Sequence, residues 1–353
     1  MDDKRLSQLN SKIKKRNLYD RGGVIFKAIL LALMVLALAL CGIYYYKKTS
    51  QKSQETSIQT PPAGVMDDVS AKASEETKEY HTMLSDLKEE YINTFEEKYP
   101  SADVSFLIKD LDRDITVVSN LKQMNSASVI KLFIMETVYK RVASGDYTLT
   151  EEGKNHLRVM ITQSNNNAAN YFIDEFGGED DTRKVKEDNY INTTIASSGY
   201  KHTEANRKMH DTTPPEGPSG YENYTGVEDV AALLEGIYNK TLFEEPYNTE
   251  ALELLKKQER TNKIPALISE KYPHVVVANK TGELSQVEND AALIFGKDYN
   301  LILVIMVNEI PKTEDGSTDY DLKEKVQQTI SELALKLVES YEEKSSSKTT
   351  DTK

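Results

Sequence analysis

The run Asn125-Ser126-Ala127-Ser128-Val129-Ile130-Lys131 sets a hydroxyl and an amine three residues apart. If Asn125 and Ser126 cap a helix, Ser128 falls in its first turn, where unpaired N–H groups and the positive helix end favour developing negative charge. Lys131 then lies one turn on, along the same face. The residues that follow, Leu132, Phe133, Ile134, Met135, Val138 and Tyr139, are apolar nearly all round, so this helix is expected to be buried. An amine held beside a buried helix is desolvated, which favours its neutral form and lets it take the serine proton. The chemistry implied is nucleophilic attack by serine with lysine as the base.

No cofactor pattern competes with it. His81, His156, His202, His210 and His274 are scattered without metal-ligand spacing, and there is no His-Glu-x-x-His helix, Cys-x-x-Cys pair or phosphate-cradling glycine loop. No metal and no cofactor are expected. Ser-x-x-Lys alone is weak, because the chain contains six such pairs, and a capping serine with a snorkelling lysine accounts for an isolated one. Two further elements set Ser128 apart. Ser164-Asn165-Asn166 sits on a polar break between apolar helices, and Val275 to Asn279 reads as a strand delivering Lys280-Thr281-Gly282. A lysine ending a strand beside threonine and glycine is either a ready carboxylate site or a turn with an exposed lysine.

Ser-x-x-Lys, Ser-x-Asn and Lys-Thr-Gly, in that order on helix, loop and strand, resemble the signature of class A β-lactamases and the related penicillin-binding proteins. The flanks are similar too, in Lys263-Ile264-Pro265-Ala266, in Val277 to Leu284 and in Asn289-Asp290-Ala291-Ala292. The resemblance implies Ser128 as the acylated nucleophile, Lys131 as its activating partner and Ser164 as the hydroxyl that relays a proton to the leaving nitrogen. It implies Asn166 as the partner of the substrate's amide side chain, and Lys280 and Thr281 as carboxylate binders. Gly282 and Glu283 belong to the same substrate-binding strand, and the backbone N–H groups of Ser128 and Glu283 would form the oxyanion hole. The implied substrate is a β-lactam or a cell-wall peptide.

The sequence departs from the family in three places. Aligning Gly199 to Asp211 on the loop that carries the water-activating glutamate makes Arg207 match the loop's arginine and puts Met209 in the glutamate's place. A thioether accepts no proton, so deacylation is expected to be slow unless Glu204 or Asp211 reaches the site. The 36 residues from Ser128 to Ser164 are fewer than is usual for secreted β-lactamases, so one wall of the cleft is trimmed and a peptide could enter. Asn165 stands where aspartate is commoner. These departures keep open a peptidase or esterase acting on cell-wall peptides, and a penicillin-binding sensor module, beside β-lactam hydrolysis.

The elements that must position these residues are legible in outline. Glu75 to Tyr99 carries Tyr80, Leu84, Leu87, Tyr91 and Phe95 at helical spacing, and Val104–Leu111 and Asp114–Ser119 read as a hairpin turning at Asp112-Arg113. A helical middle runs from Ser128 to about Tyr238. Val275–Ala278, Ala291–Phe295 and Asn300–Val307 return as strands, and Asp321–Glu343 closes as a helix. The expected fold is α+β, an antiparallel sheet built from both ends of the domain with flanking helices and a helical lobe.

Charge and hydropathy divide the 353 residues further. The net charge of −13 argues against nucleic-acid binding, yet residues 1–27 carry +5 and the remainder −18. Between them 28–46 holds nineteen residues without a charge, long enough at about 1.5 Å per residue to span a bilayer core of about 30 Å. A cleaved signal peptide fits less well, because the run exceeds the usual h-region and lacks a small-residue cleavage site. A lipoprotein reading of Cys41 meets the bulky Leu40. The expected organisation is a cytoplasmic basic segment (1–27), a transmembrane anchor in the lipid bilayer (28–46), a flexible stalk (47–78), an extracellular hydrolase domain (79–343) and a disordered tail (344–353).

Overall fold

A computed structural model describes residues 63–180, 184–209 and 222–350. Contacts divide the chain into Met1–Ala71 and Lys72–Lys353; the described part of the first unit is helical, and the second unit holds the sheet and the cores. The basic segment 1–27, the apolar run 28–46, His210 and Asp211 lie outside the described residues. Among the described residues no helix is long and apolar enough to cross a membrane.

In chain order the elements are helix α1 (Ala63–Lys98), strands β1 (Asp103–Asp110), β2 (Ile115–Ser119) and β3 (Met124–Asn125), and a 3-10 turn (Ala127–Ile130). Helices α2 (Lys131–Ala143), α3 (Glu151–Thr162), α4 (Asn166–Glu175) and α5 (Tyr190–Ser198) come next, then strand β4 (Tyr224–Thr225). Helices α6 (Val227–Tyr238), α7 (Tyr247–Lys256) and α8 (Pro265–Lys271) lead to strands β5 (Val276–Leu284), β6 (Val287–Phe295) and β7 (Asn300–Asn308), and helix α9 (Tyr320–Thr350) ends the described chain.

The main sheet runs β2-β1-β7-β6-β5, antiparallel throughout, so both ends of the domain contribute to it as expected. Strand β7 is central and covered on both faces. Leu301, Leu303, Ile305 and Val307 pack in the core shared with α1 and α9, whereas Ile302, Val304 and Met306 pack in the core shared with α2 to α7. Burial on both sides is why this strand reads in sequence as an unbroken apolar run. Tyr80, Leu84, Leu87, Tyr91 and Phe95 are all buried and meet Val326, Ile330, Leu333, Leu337 and Val338 of α9. Removing each of the larger side chains from water contributes about 1.5–3 kcal/mol.

Four boundaries differ from expectation. Strands β5 and β6 are longer than their apolar cores, because Asn279 to Leu284 and Val287 to Asp290 stay in register through Leu284↔Val287. Their polar residues, poor strand formers in isolation, are accepted where the fold supplies buried partners, as it does for Asn279, Lys280, Glu288 and Asn289. The segment expected as stalk is helical from Ala63, and α9 continues through Thr350 into the expected tail. The first extension is rich in Ala, Glu, Lys and Ser and the second is made of Lys, Ser and Thr, and beyond Gly64 neither carries a Pro or Gly to break a helix.

The hairpin is stitched to α9 by a buried acid. Asp110 accepts from Arg113 Nη1 at 3.1 Å and from Tyr341 Oη at 2.8 Å, and the Arg113 guanidinium lies 3.7 Å over the Tyr80 ring. Burial, then the nearby Asp110 charge, pushes the Tyr341 phenol up, so it stays a donor. Tyr341→Phe leaves that carboxylate one donor short and is expected to cost about 1.5–3 kcal/mol, measured by urea unfolding; an unchanged midpoint would show that the bond contributes nothing.

Candidate active site

Ser128 does not sit in the first turn of an α-helix. It lies in the 3-10 turn Ala127–Ile130, and α2 starts only at Lys131. The expected cap is also absent: the Ser126 hydroxyl donates to Asn223 O at 2.8 Å instead of capping, while Asn125 Oδ1 accepts from Ala127 N at 3.0 Å. The tighter turn follows from Ala127, which holds a left-handed φ of 44°. Lys131 through Tyr139 are buried as the pattern implied.

Lys131 Nζ donates to Ser128 Oγ at 2.9 Å, to Ser164 O at 2.6 Å and to Asn166 Oδ1 at 2.7 Å. These acceptors come from the nucleophile turn and from the break between α3 and α4. Ser164 holds a left-handed φ of 60°, which turns its carbonyl and hydroxyl toward the lysines. Its Oγ is 2.9 Å from Lys280 Nζ and 3.4 Å from Lys131 Nζ, so one hydroxyl bridges two amines. Asn165 Oδ1 accepts from Ala168 N at 2.9 Å and caps α4. Lys280, Thr281 and Gly282 lie within β5, not in a turn, and Lys280 is fully buried. Gly282 lets β5 pass against the turn: a Cβ there would lie 2.8 Å from Ser126 O and 3.2 Å from Ser128 N. The sequence-predicted residues Ser128, Lys131, Ser164, Asn166, Lys280, Thr281, Gly282 and Glu283 thus converge on one end of β5.

Behind them stands a buried charge network. Lys263 Nζ reaches Glu283 Oε1 and Glu288 Oε2, each at 2.8 Å, and Arg260 Nη1 reaches Glu283 Oε2 at 2.9 Å. Burial alone would lower the Lys263 pKa, but Glu288, Glu283 and Asp290 outweigh it and hold the ammonium. Burial pushes the Lys280 ammonium down to about 7; Asp290 pulls the other way, and Arg260 and Lys263 add to the fall. Burial likewise pushes the Asp290 carboxyl up, against Lys263 and Asn279.

Ser128, Asn166, Met209, Glu222 and Glu283 line a cavity of about 110 Å³. Met209 stands at its wall because Asn170 clamps the backbone on both sides, Oδ1 accepting from Met209 N at 2.7 Å and Nδ2 donating to Met209 O at 2.6 Å. Glu204 does not line the cavity; its carboxylate accepts from Asn206. Among the described residues, the two carboxylates that line it are engaged, Glu283 as above and Glu222 with Arg207 Nη2 at 2.8 Å. Burial raises the Glu222 carboxyl against the pull of Arg207 and Asn125. Larger grooves, such as the one of about 510 Å³ between α1 and the β1–β2 hairpin, lie apart from this cluster, so size does not mark the site. Motif and spacing do not single out Glu222, Asn170 or Asn223. Asn223 is buried and must find partners, whereas Asn170 and Glu222 are half-buried and carry no such signal. No group of His, Cys, Asp and Glu among the described residues is arranged to hold a metal.

An antiparallel sheet flanked by helices, with a serine and a buried lysine in bonding distance at its edge, is the arrangement of the β-lactamase and penicillin-binding-protein fold. The chain belongs to the Beta-lactamase enzyme family, whose sequence pattern matches residues 87–154 and 153–341. No curated protein matches the chain. Among solved structures, the β-lactamase from Sphaerobacter thermophilus DSM 20745 is 20% identical with a TM-score of 0.57, over 71% of this chain and 96% of that one. PBP-A is 20% identical with a TM-score of 0.55, over 72% and 97%. An ancestral class A β-lactamase is 16% identical with a TM-score of 0.54, over 73% and 98%. At these identities the likeness shows a shared fold.

A lysine with a pKa of about 7 holds an anion only while protonated. Binding of a small carboxylate at the β5 end is expected to weaken as pH rises through 7, and Lys280→Ala to flatten the profile; titration calorimetry at about pH 6 and about pH 8.5, either side of that pKa, measures both.

Proposed function

We propose that the protein is a membrane-anchored extracellular serine hydrolase of class A type that opens β-lactam rings through an acyl-enzyme on Ser128. The observation that carries this reading is the continuous chain Ser128–Lys131–Ser164–Lys280, linked at 2.9, 3.4 and 2.9 Å. In the neutral form, Lys131 takes the Ser128 proton as Oγ attacks the ring carbonyl. The acceptors around Nζ then hold the ammonium that results. The backbone N–H groups of Ser128 and Glu283 receive the oxyanion, and the ring C–N bond breaks as Ser164 passes a proton to the nitrogen. Lys280 and Thr281 hold the substrate carboxylate, and Asn166 the amide side chain.

Hydrolysis of the ester needs a base for water. Among the described residues at the cavity, Met209 supplies none, and Glu222 and Glu283 are tied to cations. We therefore assign slow deacylation, which favours the second reading, a penicillin-binding peptidase or esterase on cell-wall peptides, where turnover of the β-lactam itself is concerned. A point mutant of PBP-A, 19% identical over 72% of this chain, has been captured as an acyl-enzyme complex with penicillin G, which supports an acylated state for this scaffold. Anchoring through 28–46, with 1–27 cytoplasmic, rests on the charge-free run and the basic excess before it.

The test is intact-mass measurement of the full-length protein after mixing with a chromogenic cephalosporin. A persistent adduct on the wild type, absent from Ser128→Ala, is expected; neither adduct nor turnover would sink the acylation mechanism. Met209→Glu restores a proton acceptor at the cavity wall and is expected to raise turnover by about 10²-fold or more. Turnover unchanged despite normal acylation would remove Met209 as the cause of slow release.

A further inference from the structure

Two buried asparagines carry an arrangement that acyl-transfer chemistry at Ser128 does not by itself explain. Ala127 lies in a left-handed conformation without being glycine, at φ 44°. Such backbone persists only where the surroundings over-determine it. Asn289, fully buried on β6, donates through Nδ2 to Asn125 O at 2.9 Å and to Ser126 O at 3.2 Å. Its Oδ1 accepts from Val307 N and from Asn308 Nδ2, both at 3.2 Å. Asn308, at the end of β7, returns Oδ1 to Asn125 N at 2.8 Å. Both backbone groups of Asn125 are thus held by side chains from two strands of the sheet. Asn289 pairs with Gly282 across the β5–β6 ladder, at the point where β5 leaves room for the turn. An amide is a poor choice for a buried central strand unless its bonds matter, because asparagine disfavours strands and its desolvation must be offset.

We propose that Asn289 and Asn308 are positioning residues for the nucleophile turn. Asn289 fixes the carbonyls of Asn125 and Ser126 and Asn308 fixes the Asn125 N–H; together they hold Ala127 in its strained conformation, and so aim the Ser128 hydroxyl at the acyl carbon and its N–H at the acyl oxygen. The proposal rests on the reading that Ser128 is acylated. Without the clamp the turn relaxes toward negative φ and Ser128 swings away from Lys131; substrate contacts at Lys280 and Thr281 remain.

Full-length wild type, Asn289→Ala, Asn308→Ala and the double variant Asn289→Ala with Ala127→Gly are each mixed with a chromogenic cephalosporin over a range of concentrations. The acylation rate constant, the Kd of the complex before acylation and the thermal midpoint are read for each. In both single variants the rate constant is expected to fall roughly tenfold to hundredfold, as for other small misplacements of reacting groups, with Kd little changed. Glycine adopts positive φ without penalty, so Ala127→Gly should restore part of the rate in the Asn289→Ala background, by about threefold or more, whatever the midpoint does. Wild-type rate constants in both single variants would overturn the proposal, as would a loss confined to Kd or an absence of rescue. If Asn289→Ala fails to fold, Asn308→Ala decides by the split between rate constant and Kd. A wild type that forms no adduct refutes the Ser128 reading itself, an outcome distinct from every other.

Discussion

Burying the Lys131 amine is the constraint from which the rest of the site follows. A basic group that is fully enclosed must find hydrogen-bond acceptors or lose several kcal/mol, roughly, to desolvation. Lys131 finds them on Ser128, Ser164 and Asn166, which belong to two separate breaks in the helical lobe. Each break takes an unusual backbone to reach it, with Ala127 at φ 44° and Ser164 at φ 60°. The lysine therefore fixes the distance between the nucleophile turn and the α3–α4 break. Its helix, buried from Lys131 to Tyr139, fixes the lysine.

The sheet supplies the opposite wall under a second electrostatic constraint. Lys280 is buried, and Lys263 is buried close by, so two cations share the end of β5. The acids Glu283, Glu288 and Asp290 divide unequally between them. Glu283 and Glu288 ion-pair with Lys263, and Lys323 adds a third cation at 3.0 Å from Glu288 Oε1. Lys280 instead bonds a hydroxyl and a carbonyl, Ser164 Oγ and Thr281 O, which are neutral partners. The consequence is one lysine held charged and another whose charge is only marginally favoured near neutral pH. A carboxylate arriving beside Lys280 would favour its charged form, so the arrangement is poised to accept one.

The parts of this structure that are legible in the sequence are those with strong periodicity or ordered motifs. The α1 stripe from Tyr80 to Phe95 and the apolar run of β7 declare themselves because burial dictates their residues one by one. The Ser-x-x-Lys, Ser-x-Asn and Lys-Thr-Gly elements can be placed because their order, not any one of them, is improbable. What stays hidden depends on partners distant in sequence. The 3-10 turn at Ala127 is imposed by bonds from Asn289, Asn308 and Asn223, which lie 97 to 183 residues further along the chain, so local capping rules point to a regular helix start instead. The polar ends of β5 and β6 fall outside the strands that the apolar pattern marks, for the same reason. Their strand character comes from the ladder and from buried ion pairs, which single-strand propensity does not contain.

On the proposed reading, the same scaffold separates acylation from release with little change of shape. Asn170 grips Met209 at both N–H and C=O, and Arg207 closes on Glu222, so the described backbone of this loop is anchored at Met209. The side chain Met209 brings to the cavity wall accepts no proton. General-base assistance is worth about 10²–10⁴ in rate, so withholding it lengthens the life of an ester by a similar factor while leaving the Lys131-assisted attack untouched. That asymmetry is what a protein made to hold an acyl group, or to pass it to a nucleophile other than water, would need.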